Sequence, residues 1–120
     1  MGENVTLQKA ALPGAGLIIA APASGSGKTV FTLGLLHLLS RSGVSIASAK
    51  AGPDYIDPAF HAAATSSICR NLDQWAMRPS MLLDAAFELG ADGAMVICEG
   101  VMGLFDGAVQ EQGSTADLSE

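Results

Sequence analysis

Three short apolar runs punctuate the chain: Leu17-Ile18-Ile19-Ala20-Ala21, Val44 to Ala49, and Ala94 to Cys98. Each is bounded by Gly, Pro or charged residues and is too short for a stable helix, so each predicts a buried strand. Between the first two, the spacing of Phe31, Leu35, Leu38 and Leu39, with Leu36 beside them, predicts a helix from Lys28 or Thr29 to about Ser42. Gly43 is placed to end it as the C′ residue. Pro79 suits the first position of a second helix running to Leu89, which Gly90 stops. The segment Asp54–Pro58 reads as a proline-bounded loop leading to a short helix from Ala59 to Ala64. Residues 65–78 follow neither period, and residues 1–14 read as a flexible leader ending at Pro13-Gly14. Strands alternating with helices imply an α/β fold with a parallel sheet.

Composition narrows this further. The chain has 120 residues, 49% of them hydrophobic and 15% charged, with a net charge of −6. That is too apolar for a disordered tail and too acidic for a general nucleic-acid binder. Two distant cysteines, Cys69 and Cys98, make no disulfide or zinc framework and fit a reduced, cytoplasmic compartment. No apolar run approaches the ~18 residues of a membrane helix. The charge is divided: residues 1–53 carry +3 and residues 54–120 carry −9. Such a division suits a site in which cations hold a polyanion and carboxylates hold a metal.

The first turn carries the strongest chemistry. Ala21-Pro22-Ala23-Ser24-Gly25-Ser26-Gly27-Lys28-Thr29 joins a strand to a helix. Glycines there let backbone N–H groups converge on phosphate oxygens, and the helix dipole adds to the attraction. Lys28 offers a point charge to the outer phosphates, and the Thr29 hydroxyl suits a Mg²⁺ shell. Pro22 stands where the strict pattern has its first glycine. The competing reading is a Ser/Gly turn that merely begins a helix.

Two acidic loops follow the other strands and should emerge at the same sheet edge, where open parallel sheets bind ligands. In Lys50-Ala51-Gly52-Pro53-Asp54-Tyr55-Ile56-Asp57-Pro58, Lys50 can meet a phosphate or carboxylate, and Asp54 or Asp57 can hold Mg²⁺. In Glu99-Gly100-Val101-Met102-Gly103-Leu104-Phe105-Asp106-Gly107, Glu99 follows a buried strand and needs a nearby cation. Asp106 fits a metal or substrate contact and fits a turn nearly as well. Blander roles suit the rest: His61 and His37 as structural residues, Trp75 as an anchor for residues 65–78, and Cys98 as a small buried hydrophobe.

These three segments together resemble the signatures of the cobyrinic acid a,c-diamide synthases, including those acting on hydrogenobyrinic acid, over roughly residues 15–117. The loop without its first glycine is that family's own form. The resemblance implies a P-loop NTPase-type parallel sheet flanked by helices, like that of dethiobiotin synthetase but incomplete. Residues 15–120 would then be the N-terminal part of an ATP-binding synthetase domain. The implied reaction is amidation of corrinoid carboxylates through an acyl phosphate, in cobalamin biosynthesis, with ATP and Mg²⁺. Ammonia would come from glutamine in a C-terminal glutaminase domain that these residues do not contain. No nucleic acid or membrane partner is implied, and a homodimer is compatible.

Carried over by position, Ser24, Gly25, Ser26, Gly27, Lys28 and Thr29 hold the phosphates. Thr29, Asp54 and Glu99 hold Mg²⁺. Tyr55, Asp57 and Asp106 shape the substrate site, and Lys28, Lys50, Asp57 and Asp106 serve catalysis. The alternatives are cobyric acid synthase, dethiobiotin synthetase and a partitioning-type ATPase switch. The switch has a further lysine early in its loop, where this chain has Ala23 followed by Ser24.

Overall fold

In a computed structural model, residues 15–107 and 113–120 are described; the leader at 1–14 and part of the third loop lie outside them. The alternating pattern becomes a four-stranded parallel sheet with helices on both faces. In chain order the elements are β1 (Gly16–Ile19), α1 (Lys28–Arg41), β2 (Ile46–Ala51), α2 (Asp57–Thr65), β3 (Cys69–Leu72), α3 (Pro79–Leu89), β4 (Met95–Glu99) and α4 (Thr115–Leu118). A single 3₁₀ turn, Ala91–Gly93, separates α3 from β4. Across the sheet the order is β1-β4-β2-β3.

The period of two along the strands sorts the sheet into two unlike faces. Ala49 and Ala51 of β2, Leu72 of β3 and Cys98 of β4 pack with Ala85 and Leu89 of α3 into the apolar core. The alternate positions, including Ser48, Lys50, Ile97 and Glu99, face the side covered by α1 and α2. The buried stripe of α1 consists of Thr32 and Leu36, one turn apart. Four-residue spacing thus does bury one side of this helix, but Phe31 and Leu38, expected on it, are solvent-exposed. Ser114 closes a capping box with Asp117 at the start of α4.

Several elements differ from the sequence expectation for identifiable reasons. Residues 65–78 contain a strand, β3, that no apolar run betrays, because Cys69-Arg70-Asn71-Leu72 has polar residues in its middle. It is an edge strand, so only Cys69 and Leu72 need burial. β1 also lies at an edge and leaves Leu17 exposed rather than buried. β2 runs two residues later than expected, which draws Lys50 out of the loop and into the sheet. α2 begins at Asp57, not Ala59, because Pro58 is accommodated within the first helical turn. Trp75 is exposed and anchors nothing; its turn is held instead by Asp73, whose Oδ1 accepts the N–H groups of Trp75 and Ala76 at 3.1 and 3.0 Å.

Candidate functional site

The loop between β1 and α1 is shaped by two glycines in the left-handed region, Gly25 (φ 77°) and Gly27 (φ 84°). A Cβ on either would meet no atom within 4 Å, so backbone conformation alone demands glycine there. Ser26 Oγ closes the turn by donating to the Ala23 carbonyl at 2.7 Å. The first helical bond, from Phe31 N–H to Gly27 O, follows at once and leaves the earlier N–H groups of α1 facing outward. Lys28 Nζ crosses to the third loop and donates to Met102 O at 3.0 Å, in a solvent-exposed contact.

The third loop is laid directly on the first. Gly100 N–H donates to Ile19 O and Leu104 N–H to Ala21 O, both at 2.8 Å. A Cβ on Gly103 would come within 2.5 Å of the Pro22 carbonyl, so this close approach requires glycine. Thr115 Oγ1 accepts from Val101 N–H at 3.0 Å and donates to Val101 O at 3.2 Å, fixing the loop from α4. Asp106 is exposed, and its Oδ2 accepts the Gly103 N–H at 2.9 Å.

At the centre lies Lys50, only 3% exposed. Register sets Lys50 of β2 opposite Glu99 of β4, and paired residues of adjacent strands share a face. Lys50 Nζ lies 2.7 Å from Glu99 Oε2, 2.9 Å from Asp57 Oδ2 and 3.8 Å from Asp54 Oδ2, and it donates to Gly100 O at 3.1 Å. Burial opposes the lysine's charge, but the Glu99 and Asp57 carboxylates outweigh it and raise the pKa. Thr29 Oγ1 reaches Asp57 Oδ2 at 3.4 Å, which links the phosphate loop to this cluster.

The same backbone matches the CobQ/CobB/MinD/ParA nucleotide binding domain over residues 17–112. The chain belongs to this family. It is 61% identical over 104 residues to a hydrogenobyrinate a,c-diamide synthase from Sinorhizobium sp. and 60% identical over 104 residues to one from Rhizobium meliloti. A synthase of the same name from Brucella anthropi is 56% identical over 105 residues. Each alignment covers 87% of this chain but only 24% of the relative. The chain thus spans about a quarter of the length of the curated relatives it matches.

Within this nucleotide binding domain the carboxylates are not equivalent. Asp54 Oδ1 accepts the N–H groups of Ile56 and Asp57 at 2.8 and 3.0 Å, a local turn that leads into α2. Burial would raise its pKa, but those two N–H groups and Lys50 lower it. Glu99 is fully buried, and its Oε1 has no hydrogen-bond partner. Its pKa is held down to about 2: burial pushes upward, and His61 and Lys50 prevail. Tyr55 projects into solvent with 92% exposure.

The domain also recruits residues that the motifs did not reveal. Asn71 of β3 donates from Nδ2 to Gly52 O at 2.9 Å and Asp54 O at 2.7 Å, pinning the second loop. His61 of α2 is completely buried, with Nε2 3.5 Å from Glu99 Oε2 and Nδ1 3.4 Å from Cys69 Sγ. Only an Asp-to-His spacing of four on a helix could have signalled that Asp57 and His61 point the same way. Cys98 faces the apolar core, where burial pushes its thiol up to about 12 and leaves it inert.

Burial opposes protonation of His61, but the Cys69 sulfur and Glu99 hold its pKa up to about 9, against an ordinary 6.5. Stability from this group is complete below about pH 6.5 and is lost as pH rises through 9. Glu99, lowered from 4.5 to about 2, acts in reverse: its contribution is present above 4.5 and is lost as pH falls through 2. In chelator, the melting temperature should therefore be highest between about pH 5 and 6.5 and fall on both sides. Differential scanning calorimetry across pH 4–10 checks this, and replacing His61 with Gln should flatten the alkaline side.

Proposed function

We propose that these residues form the nucleotide-binding beginning of an ATP-dependent synthetase. Its reaction converts the a and c carboxylates of hydrogenobyrinic or cobyrinic acid to amides in cobalamin biosynthesis. The observation that carries the reading is Lys50, ringed by three carboxylates and joined to the phosphate loop through Asp57 and Thr29. The identity to synthases of this name supports the choice of substrate. The two thiols are free, which suits a cytoplasmic enzyme.

In this reading a substrate carboxylate oxygen attacks the γ-phosphorus of ATP, and the bond to the bridging oxygen breaks to release ADP. Ammonia then attacks the acyl carbon of the resulting acyl phosphate. The carbon–oxygen bond to phosphate breaks, inorganic phosphate departs, and the amide remains after loss of protons. Glutamine, hydrolysed elsewhere in the full-length protein, supplies the ammonia. Phosphoryl transfer requires mainly positioning and charge stabilisation, which fixed dipoles and cations provide. Ser24 to Thr29 cradle the phosphates, and Lys28 exchanges the Met102 carbonyl for a phosphate oxygen. Lys50 keeps Glu99 ionised and holds Asp57 in place. Tyr55 and Asp106, both exposed beside the loops, meet the corrinoid.

Among the described residues, no group of three or more His, Cys, Asp or Glu forms a metal cage alone. Mg²⁺ does not ask for one, since it binds through one or two carboxylates, water and substrate phosphates. The orphaned Glu99 Oε1, and the Thr29 and Asp57 oxygens 3.4 Å from each other, suit such an ion. Asp54, with Oδ1 engaged by backbone N–H groups and Oδ2 3.8 Å from Lys50 Nζ, remains a further carboxylate for the ion. Bound there, Mg²⁺ would neutralise charge on the β- and γ-phosphates.

Full-length protein supplied with ATP, Mg²⁺, glutamine and hydrogenobyrinic acid should yield the diamide by mass spectrometry; ATP hydrolysis without diamide would overturn the substrate assignment. Asp106→Asn should lower amidation at least tenfold while leaving ATP affinity within about twofold, because among the described residues the Asp106 side chain hydrogen-bonds within its own loop. An equal loss of nucleotide affinity would remove Asp106 from the substrate side.

A further inference from the structure

His61 is a fully buried group at this centre to which the reaction assigns no task. It lies one helical turn after Asp57, so α2 presents both residues to the same cluster. Asp57 meets Lys50 at 2.9 Å, and His61 Nε2, which makes no hydrogen bond among the described residues, stands 3.5 Å from Glu99 Oε2 as a charge contact. Glu99 Oε2 thereby lies between an ammonium and an imidazole, while Oε1 is left without a partner. On its far side the imidazole meets Cys69 Sγ at 3.4 Å, from the edge strand β3. The carboxylate selects the hydrogen on Nε2, because a lone pair facing Oε2 would be repelled. Nδ1 then accepts from the thiol when the ring is neutral and donates to sulfur when it is charged.

We propose that His61, held by Cys69, is a positioning residue that fixes the Glu99 carboxylate so that Oε1 is presented to the divalent cation. This rests on the reading of Glu99 as a magnesium ligand. Partners that orient a metal-binding side chain from behind are worth about 10–100-fold in metal affinity. A histidine that merely filled the core would leave metal affinity untouched, provided the fold survived. Lys50 Nζ is shared among Glu99, Asp57 and the Gly100 carbonyl, so a second cation beside Oε2 restrains the carboxylate further.

The test uses Mn²⁺, titrated by electron paramagnetic resonance into full-length protein saturated with ADP. His61→Asn keeps a polar group near Cys69 but cannot reach Glu99; it should raise the Mn²⁺ Kd about tenfold or more. ADP affinity in chelator should remain unchanged. His61→Gln, whose amide N–H extends to about the place of Nε2, should bring the Mn²⁺ Kd back to within about threefold of wild type. Equal effects of the two substitutions, or wild-type affinity in His61→Asn, would overturn the proposal. Glu99→Gln separates the underlying reading: if it binds Mn²⁺ normally, Glu99 is no ligand and the proposal falls with that assignment. If Glu99→Gln weakens Mn²⁺ and His61→Asn does not, the positioning role alone is wrong. Should His61→Asn fail to fold, Cys69→Ala decides, with a smaller loss of Mn²⁺ affinity supporting the proposal and wild-type affinity refuting it.

Discussion

Lys50→Met should destabilise the domain by about 3–5 kcal/mol, the usual effect of removing one partner from a buried ionic cluster. Glu99 is 0% exposed and would keep its charge with only His61 beside it, while Asp57 and Asp54 would repel it. That loss is a large fraction of the ~5–15 kcal/mol that stabilises a typical domain. Urea denaturation of full-length protein measures it. A loss below about 1 kcal/mol would mean that the lysine does not neutralise the cluster. The double variant Lys50→Met/Glu99→Met should recover most of the stability, because apolar replacement of both partners is commonly neutral. It should recover no activity. Methionine can fill the space and cannot serve the chemistry.

Lys28→Ala should behave in the opposite way. Among the described residues the side chain makes one hydrogen bond, to Met102 O, in a solvent-exposed place, so stability should change by less than about 1 kcal/mol. Amidation should fall by at least about 10²–10³-fold, as when one preorganised donor is removed from a charge-stabilising site. The loss should be the same with glutamine or with free ammonia as nitrogen source, because in the proposed reaction phosphoryl transfer precedes the use of either. Retained ammonia-dependent activity would refute the phosphate-loop assignment. The two lysines thus separate by experiment: one carries the fold's electrostatics, and the other carries the nucleotide's.

The turn between β1 and α1 was legible because its signals are local. Gly25, Gly27, Lys28 and Thr29 adjoin in sequence, and their strand and helix flank them directly. α3 was legible for the same reason, with Pro79 opening it and Gly90 closing it. What stayed hidden depends on pairing across the sheet. Lys50 read as a loop residue because a lysine inside a buried strand is costly without a partner, and its partner is 49 positions away. β3 was hidden because an edge strand needs only two buried residues, which leaves Arg70 and Asn71 polar. With β3 unseen, Cys69 could not be set beside His61, nor Asn71 beside the second loop. Periodicity reports which residues avoid water, and these residues are assembled by register instead.

Register has a last consequence for how the chain reaches this arrangement. Lys50 pairs with Glu99, and each is flanked in its own strand by residues of the apolar face: Ala49 and Ala51 beside the lysine, Cys98 before the glutamate. A slip of β4 by one residue would keep every type of backbone hydrogen bond and still turn Glu99 toward Ala85 and Leu89. There the carboxylate would find no cation, at a penalty of several kcal/mol, and Lys50 would lose its closest counter-charge. Short, alanine-rich strands such as β2 discriminate weakly between registers by shape alone. A misaligned sheet therefore forfeits this ion pair as well as its apolar packing.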